Sequence, residues 1–247
     1  MNTPAHELAL VIPVYNEQAC IAHVINQWHN QLEKLAINHT LIIINDGSTD
    51  GTAEALAPFA TNPCIQLIHR PNGGHGTAII QGYQQAHPIA QWIFQVDSDD
   101  EIPASQFDKI WPHRHTHDLV IGWRQARTQL PIHRKLLTLG ARWITTGPRT
   151  TTAKDANAPF RLMRTTLLRD WLPTLPPAPF APNTLMTLYA NLKNLPTLSI
   201  PITHQPRRTG TASITSSDFL KLAYRCTREA RDYRKQLHNQ KNKKGKP

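Results

Sequence analysis

The first hundred residues alternate short apolar runs with stretches of helical periodicity. Residues 8–14 (LALVIPV) are one apolar run, 40–44 (TLIII) a second, and 91–96 (QWIFQV) a third that ends on Asp97. Runs this short and this apolar predict buried strands. Cys64–His69 predicts another strand. Ile21, Val24, Ile25, Trp28, Leu32 and Leu35 recur at helical spacing and predict a helix over 18–35. NDGSTDG is a turn cluster in which Thr49 or Asp50 caps a helix running through Ala53–Phe59. RPNGGHG reads as a loop, and Thr77–Ala86 as a helix. Such alternation predicts an α/β fold, a mostly parallel sheet with helices on both faces.

The second half is less regular. Residues 118–123 (DLVIGW) and 197–203 (TLSIPIT) predict strands, and 132–145 a helix. Ten of the 20 prolines fall between Pro148 and Pro206, so this stretch is expected to be rich in loops. Residues 217–237 predict an amphipathic helix with Ser217 as cap. Its apolar stripe is Phe219, Leu222, Cys226, Ala230, Tyr233 and Leu237, and its other face is strongly basic. The final NQKNKKGKP is expected to be a disordered basic tail. The expected division is residues 1–215 as the main domain and 216–247 as basic helix and tail.

Charge is distributed unevenly. Residues 1–100 hold two basic and nine acidic side chains, residues 101–217 hold 15 and five, and residues 218–247 hold ten and three. A uniformly basic chain of net charge +10 would suggest a nucleic-acid partner. An acidic first third followed by a basic remainder suggests cations held in one half and anions met by the other. With 40% hydrophobic residues the chain can form a core, which excludes a disordered polymer. No apolar run approaches the roughly 20 residues of a membrane span, and MNTPAHELALVIPVYNEQ lacks the basic start of a secretory leader. Cys20, Cys64 and Cys226 lie far apart, which predicts small core residues in a reduced, cytoplasmic protein and no zinc or disulfide framework.

Ligands in parallel sheets bind outside the carboxyl ends of the strands. Tyr15-Asn16-Glu17, Asp46-Gly47-Ser48 and Asp97-Ser98-Asp99 all sit at such ends. In an extended segment residues i and i+2 point the same way, so Asp97 and Asp99 can face one site. Two adjacent carboxylates repel unless a cation joins them, and a hard ion such as Mg²⁺ or Mn²⁺ suits them. The alternative is an acidic turn in water. Asp46 can accept hydrogen bonds from a base or ribose, or simply cap a turn; Glu17 can bind a ribose hydroxyl or cap a helix. Gly73-Gly74-His75-Gly76 opens a helix and permits close approach of an anion, but it fits neither the dinucleotide fingerprint nor the P-loop. Arg207 and Arg208 can grip a diphosphate or form a solvated loop. His113, His115 and His117 are expected in a surface loop, and Trp28 and Trp92 in the core.

Taken together, VIPVYNE (11–17), NDGSTDGT (45–52), NGGHGTAIIQGY (72–83), VDSDDEIP (96–103), DANAPFRLMR (155–164) and ITHQPRRTGTAS (202–213) resemble, in order and spacing, family 2 glycosyltransferases. The resemblance is to the branch of dolichyl-phosphate mannose synthase-like and undecaprenyl-phosphate enzymes, and it spans about residues 8–213. It implies a Rossmann-like GT-A fold, a UDP- or GDP-linked sugar donor, and Mg²⁺ or Mn²⁺. By position it implies that Pro13, Tyr15, Glu17, Asp46, Gly76, Asp97 and Ser98 meet the nucleotide sugar. Asp97 and Asp99 would be the metal-binding pair, with Asp99 preferred as direct ligand. Arg161, in the Phe160-Arg161-Leu162 element, would lie near sugar and acceptor, and Arg207, Arg208 and Ser213 would meet phosphates. Asp155 is the one acidic residue near that element, a base for a hydroxyl acceptor or a partner for an arginine. The sequence departs from the pattern at Pro159, where glycine is usual, and at His75, where a basic residue is usual. Membrane helices follow the domain in many relatives, and none is expected within these 247 residues.

The expectation is an inverting transferase that moves a sugar to a polyprenyl phosphate at the cytoplasmic membrane face, with 217–237 resting on the anionic surface or docked on the domain. A phosphate acceptor is already a nucleophile and needs no base. Transfer to a hydroxyl acceptor is the nearest alternative. A nucleic-acid-binding protein is the alternative of another class, but no nucleic-acid motif supports it, and a nucleotidyltransferase lacks its N-terminal glycine loop.

Overall fold

A computed structural model describes residues 4–124, 154–205 and 216–244. The predicted helix over 132–145 lies outside them. Seven strands form one sheet: β1 (His6–Val14), β2 (His39–Asp46), β3 (Ile65–Arg70), β4 (Ala90–Gln95), β5 (Leu119–Arg124), β6 (Arg161–Arg164) and β7 (Thr197–Ile202). Their order is β3-β2-β1-β4-β6-β5-β7. All neighbours run parallel except β6, which is antiparallel to both β4 and β5.

The alternation of side chains along each strand supplies two cores. Leu8, Leu10, Ile12, Leu41, Ile43, Trp92 and Phe94 point to one face. There they meet α1 (Ile21–Lys34), whose buried stripe is Ile21, Val24, Ile25, Trp28 and Leu32. Phe94 is the centre of an aromatic cluster, 4.7 Å from Phe160, 4.9 Å from Phe107 and 5.3 Å from Trp28, in tilted and edge-on geometries that suit ring quadrupoles. Ala9, Val11, Ile42, Ile44 and Ile93 point to the other face. That face is covered by α3 (His75–Ala86), α4 (Thr165–Trp171), α5 (Pro182–Leu192) and α6 (Ser216–Lys244). Because both faces are covered, the central strands are buried nearly end to end, as their unbroken apolar runs predict. A short α2 (Thr52–Leu56) follows β2, with the Asp50 carboxylate accepting the Thr52 amide at 3.0 Å.

One expectation needs correction. The proline-rich stretch is not merely loops: it contains β6, α4 and α5. Pro182 occupies the first turn of α5, where no amide hydrogen is needed. Residues Pro182 to Ala190 of that helix are all buried, so it shows no amphipathic stripe. Helix α6 continues to Lys244, past Leu237, where the apolar stripe ends. Lysines in a last turn favour the helix dipole. Of the two arrangements expected for 217–237, α6 takes the docked one. Ala230 and Tyr233 are buried against the sheet's second face, and the Glu229 carboxylate accepts the Phe180 and Ala181 amides at 2.6 and 2.9 Å. Arg225 stacks on the Phe180 ring at 4.0 Å. Lys221, Arg228, Arg231, Arg234 and Lys235 face outward.

Candidate functional site

From β1 the chain crosses to β2 on one side, and β4 lies on the other, so the strand order reverses between β1 and β4. A crevice outside the carboxyl ends of the strands is expected there. A cleft of about 350 Å³ occupies this position, with Pro13, Tyr15 and Glu17 from the end of β1, Asp46 from β2, His75 from α3, and Asp97, Ser98 and Asp99 after β4 on its walls. The three strand-end clusters therefore converge as the sequence predicts.

The loops after β1 and β2 are laced together. The Asn16 amide donates to Ser48 Oγ at 3.0 Å, and Asn16 Oδ1 accepts the Thr49 amide at 2.8 Å. The Glu17 amide donates to Thr52 Oγ1 at 2.9 Å, and Gln18 Oε1 accepts the Gly51 amide at 3.0 Å. Asn16 has φ of 54°, a left-handed conformation that asparagine tolerates. Tyr15, 47% exposed, stands at the mouth with its ring free to meet a planar ligand.

Asp46 is buried, and both of its oxygens are engaged. Oδ1 accepts the Gly73 amide at 3.0 Å and Oδ2 the Gly74 amide at 2.8 Å, while Arg70 Nε lies 3.2 Å from Oδ1. Asp46 thus shapes the glycine loop that opens α3. Gly47 must be glycine: its φ is +69°, and a Cβ there would lie 2.5 Å from the Asn72 amide nitrogen.

Asp97 and Asp99 both face the cleft. Asp97 Oδ1 is buried and accepts no hydrogen bond, with His75 Nε2 3.7 Å away. Burial holds the Asp97 carboxyl above the usual carboxylate range; His75 opposes that shift and the neighbouring Asp99 charge adds to it. Asp99 Oδ1 accepts the Glu101 amide at 3.2 Å. A buried carboxylate oxygen that accepts no hydrogen bond, beside a second carboxylate, offers hard oxygen donors, and the pair fits a divalent cation such as Mg²⁺ or Mn²⁺.

Three predicted site residues do not reach the cleft wall. Gly76 packs against a neighbouring segment instead: a Cβ there would lie 2.2 Å from the Pro179 carbonyl oxygen. Asp155 accepts the Asn157 amide at 3.1 Å within its own turn. Arg161 is wholly buried. Its guanidinium donates twice to Ala158 O, at 2.8 and 2.6 Å, once to Ala156 O at 3.1 Å and once to Asn183 O at 2.9 Å. Burial pulls its pKa down to about 10, so it stays charged at neutral pH, and the charges of Asp155 and Asp97 favour that state. Tyr83, Gln95 and Asn183 complete this buried layer, with the Tyr83 hydroxyl hydrogen-bonded to Gln95 Oε1. Arg207, Arg208 and Ser213 lie outside the described residues.

Sequence reasoning missed Glu101. Its carboxylate receives Arg124 Nη1 at 3.0 Å and His204 Nε2 at 2.8 Å, and its carbonyl accepts the Gln205 amide at 2.8 Å. The chain entering the Arg207-Arg208 segment is therefore pinned two residues from Asp99. The available signal was the set of four acidic residues in DSDDE, two more than a carboxylate pair needs.

The sequence pattern of glycosyl transferase family 2 matches residues 9–172. Undecaprenyl-phosphate 4-deoxy-4-formamido-L-arabinose transferase of Pectobacterium atrosepticum is 26% identical over 223 residues, 88% of this chain and 65% of that protein. The chain thus spans just under two thirds of that relative's length. Two solved structures share the fold. Glucosyl-3-phosphoglycerate synthase of Mycobacterium tuberculosis, in complex with Mn²⁺ and UDP-glucose, aligns with a TM-score of 0.66 at 16% identity, over 89% of this chain and 76% of that one. Mannosyl-3-phosphoglycerate synthase of Rubrobacter xylanophilus aligns with a TM-score of 0.67 at 12% identity, over 91% and 73%. With most of its length matched by the family pattern and its sheet superimposable on enzymes of this architecture, the chain belongs to glycosyl transferase family 2.

Proposed function

We propose that the protein transfers a sugar from a UDP- or GDP-linked donor to a polyprenyl phosphate. The observation that carries this reading is the pair Asp97 and Asp99, facing a cleft at the sheet's switch point with one buried carboxylate oxygen that accepts no hydrogen bond. A Mg²⁺ or Mn²⁺ ion held there would supply positive charge against the leaving diphosphate. The chain's own residues do the rest. Tyr15 offers a ring face at the mouth to a base. Asp46 fixes the backbone of Gly73 and Gly74, and with it the start of α3. Arg161 does not touch substrate in this reading: it is a positioning residue that braces the layer beneath Asp97. Asp155 is a turn residue, and a phosphate acceptor requires no base in its place.

The acceptor rests on the relative named above and on α6. No helix among the described residues is long and apolar enough to cross a membrane. Because α6 buries Ala230 and Tyr233 on the domain and turns its basic side chains outward, it would meet a bilayer mainly by charge, at about 1 kcal/mol per basic residue near an anionic surface. That would make the protein peripheral on the cytoplasmic face. Replacing Arg228, Arg231, Arg234 and Lys235 by Gln should abolish flotation with anionic vesicles at low salt and leave soluble nucleotide binding unchanged; equal flotation of both proteins removes the membrane role.

The donor site is tested by calorimetric titration of UDP and GDP with and without Mn²⁺. One nucleotide should bind in a metal-dependent way, and Asp99→Asn should weaken it at least tenfold, about 1.4 kcal/mol. Binding indifferent to metal and to the substitution would refute the assignment. Transfer to phosphoglycerate or another hydroxyl compound, with none to polyprenyl phosphate, would keep the donor site and replace the acceptor.

A further inference from the structure

At the opposite end of the sheet, three ligating side chains meet where α1 turns into β2. His29 and Glu33 are four residues apart on α1, and His39 opens β2. One ligand atom from each lies within 4.8 Å of the others, the one such group of three among the described residues. The eight-residue β2 separates His39 from Asp46, a span of about 23 Å at the rise of a strand. The cluster is therefore remote from the cleft.

We propose that His29, Glu33 and His39 form a second metal site, for a borderline ion of the zinc class, which staples the end of α1 to the start of β2. Three features support it. First, His39 is oriented as a ligand. Its Nδ1 lies 2.8 Å from Ile37 O, which can only accept, so Nδ1 carries the hydrogen and Nε2 presents a lone pair. Its side chain is 2% exposed, so packing holds the ring in place. Second, the spacing suits a tetrahedron. His29 Nδ1 lies 3.2 Å from His39 Nε2. Two Zn–N bonds of 2.0–2.1 Å at the tetrahedral angle place their nitrogens about 3.3 Å apart. Third, the remaining ligand can reach. Glu33 Oε1 is 4.0 Å from His39 Nε2, and the Glu33 side chain is 62% exposed, so a rotamer change closes the gap. Water would take the fourth position.

Without metal, His29 donates its Nδ1 hydrogen to His39 Nε2. On binding, His29 carries its hydrogen on Nε2 and both rings ligate as neutral imidazoles. This chemistry differs from that of the cleft: two imidazoles and one carboxylate favour zinc-class ions, whereas the carboxylate pair favours harder Mg²⁺ and Mn²⁺. The consequence is structural. The ion would lock the connection Leu35–Asn38, which includes Ala36 at φ of 51°.

The test uses the full, untagged chain stripped by chelator, with excess Mg²⁺ present to cover the cleft. Zn²⁺ is titrated calorimetrically, and Co²⁺ is followed by its visible absorption. One equivalent should bind, and Co²⁺ should show the intense bands of a four-coordinate site. Asp99→Asn should retain both signals. His29→Ala and Glu33→Gln, at positions outside the buried core, should fold normally by circular dichroism and weaken Zn²⁺ at least tenfold. Zn²⁺ should raise the melting temperature of the native chain and not that of His29→Ala. Absence of Zn²⁺ binding, its survival unchanged in His29→Ala, or its loss in Asp99→Asn would each overturn the proposal.

Discussion

Arg161→Met separates a residue that touches substrate from one that holds the floor of the site. Methionine nearly matches the stem's volume and removes the charge and all the donors. The guanidinium serves three carbonyls. Two of them, Ala156 O and Asn183 O, each lie 2.9 Å from the Thr187 hydroxyl, whose single proton can satisfy one. Asn183 O also accepts the Thr187 amide within α5, which leaves that hydroxyl to Ala156 O, so the substitution orphans Ala158 O alone. A buried orphan costs about 1–3 kcal/mol. Removing a buried charge returns part of this, because a guanidinium in the interior is itself expensive. The net expectation is a loss of about 1–2 kcal/mol. For a chain of this size that lowers the melting temperature by about 2–8 °C.

Differential scanning calorimetry reads the shift, and nucleotide titration well below the melting point reads the site. Nucleotide affinity should change less than threefold, because the side chain is not on the cleft wall. Turnover should fall with the loss of bracing under Asp97. Arg161→Lys should recover part of the stability by donating to Ala158 O alone. An Arg161→Met protein of native melting temperature with abolished transfer would refute the reasoning, since the guanidinium would then act on substrate directly.

Gly47→Ala should cost about 1–2 kcal/mol for the left-handed backbone, and more for the collision with Asn72; urea denaturation should show an earlier midpoint, and nucleotide affinity should fall as the glycine loop is displaced. Glu229→Gln should weaken two charge-assisted hydrogen bonds at the start of α5, costing about 2 kcal/mol, and should hasten tryptic cleavage within α6. His87, whose imidazolium is disfavoured by partial burial and by Arg169, has its pKa lowered from the usual histidine value. The folded state binds that proton less readily than the unfolded chain, so stability is full above the ordinary histidine pKa and falls as pH drops through it. His87→Gln should flatten the unfolding free energy over that acid limb, and an unchanged slope would remove His87 from the account.

The parts of this protein legible in its sequence are those in which one local signal has one physical reading. The strands β1, β2 and β4 carry unbroken apolar runs because both faces are covered, and the polar residues just beyond them had to be at the crevice. The helices on the outside of the cores announced themselves by a stripe. What escaped was whatever the interior uses twice. Arg161 sits in a motif and carries a charge, the usual marks of a substrate contact, yet its guanidinium makes four hydrogen bonds to carbonyls that no pattern of side chains reveals. Gly76 looked like one more phosphate-loop glycine, and it is small because the chain at Pro179 approaches it. Helix α5 was hidden because burial on all sides erases the stripe that sequence reading depends on, and Pro182 disguised its first turn as a break. Asp46 was read as a donor-seeking carboxylate, which it is, but its donors are amides from a loop 27 positions on. A buried charge or a tight glycine marks a constraint; only the partner, supplied by a distant segment, says whether that constraint belongs to the ligand or to the fold.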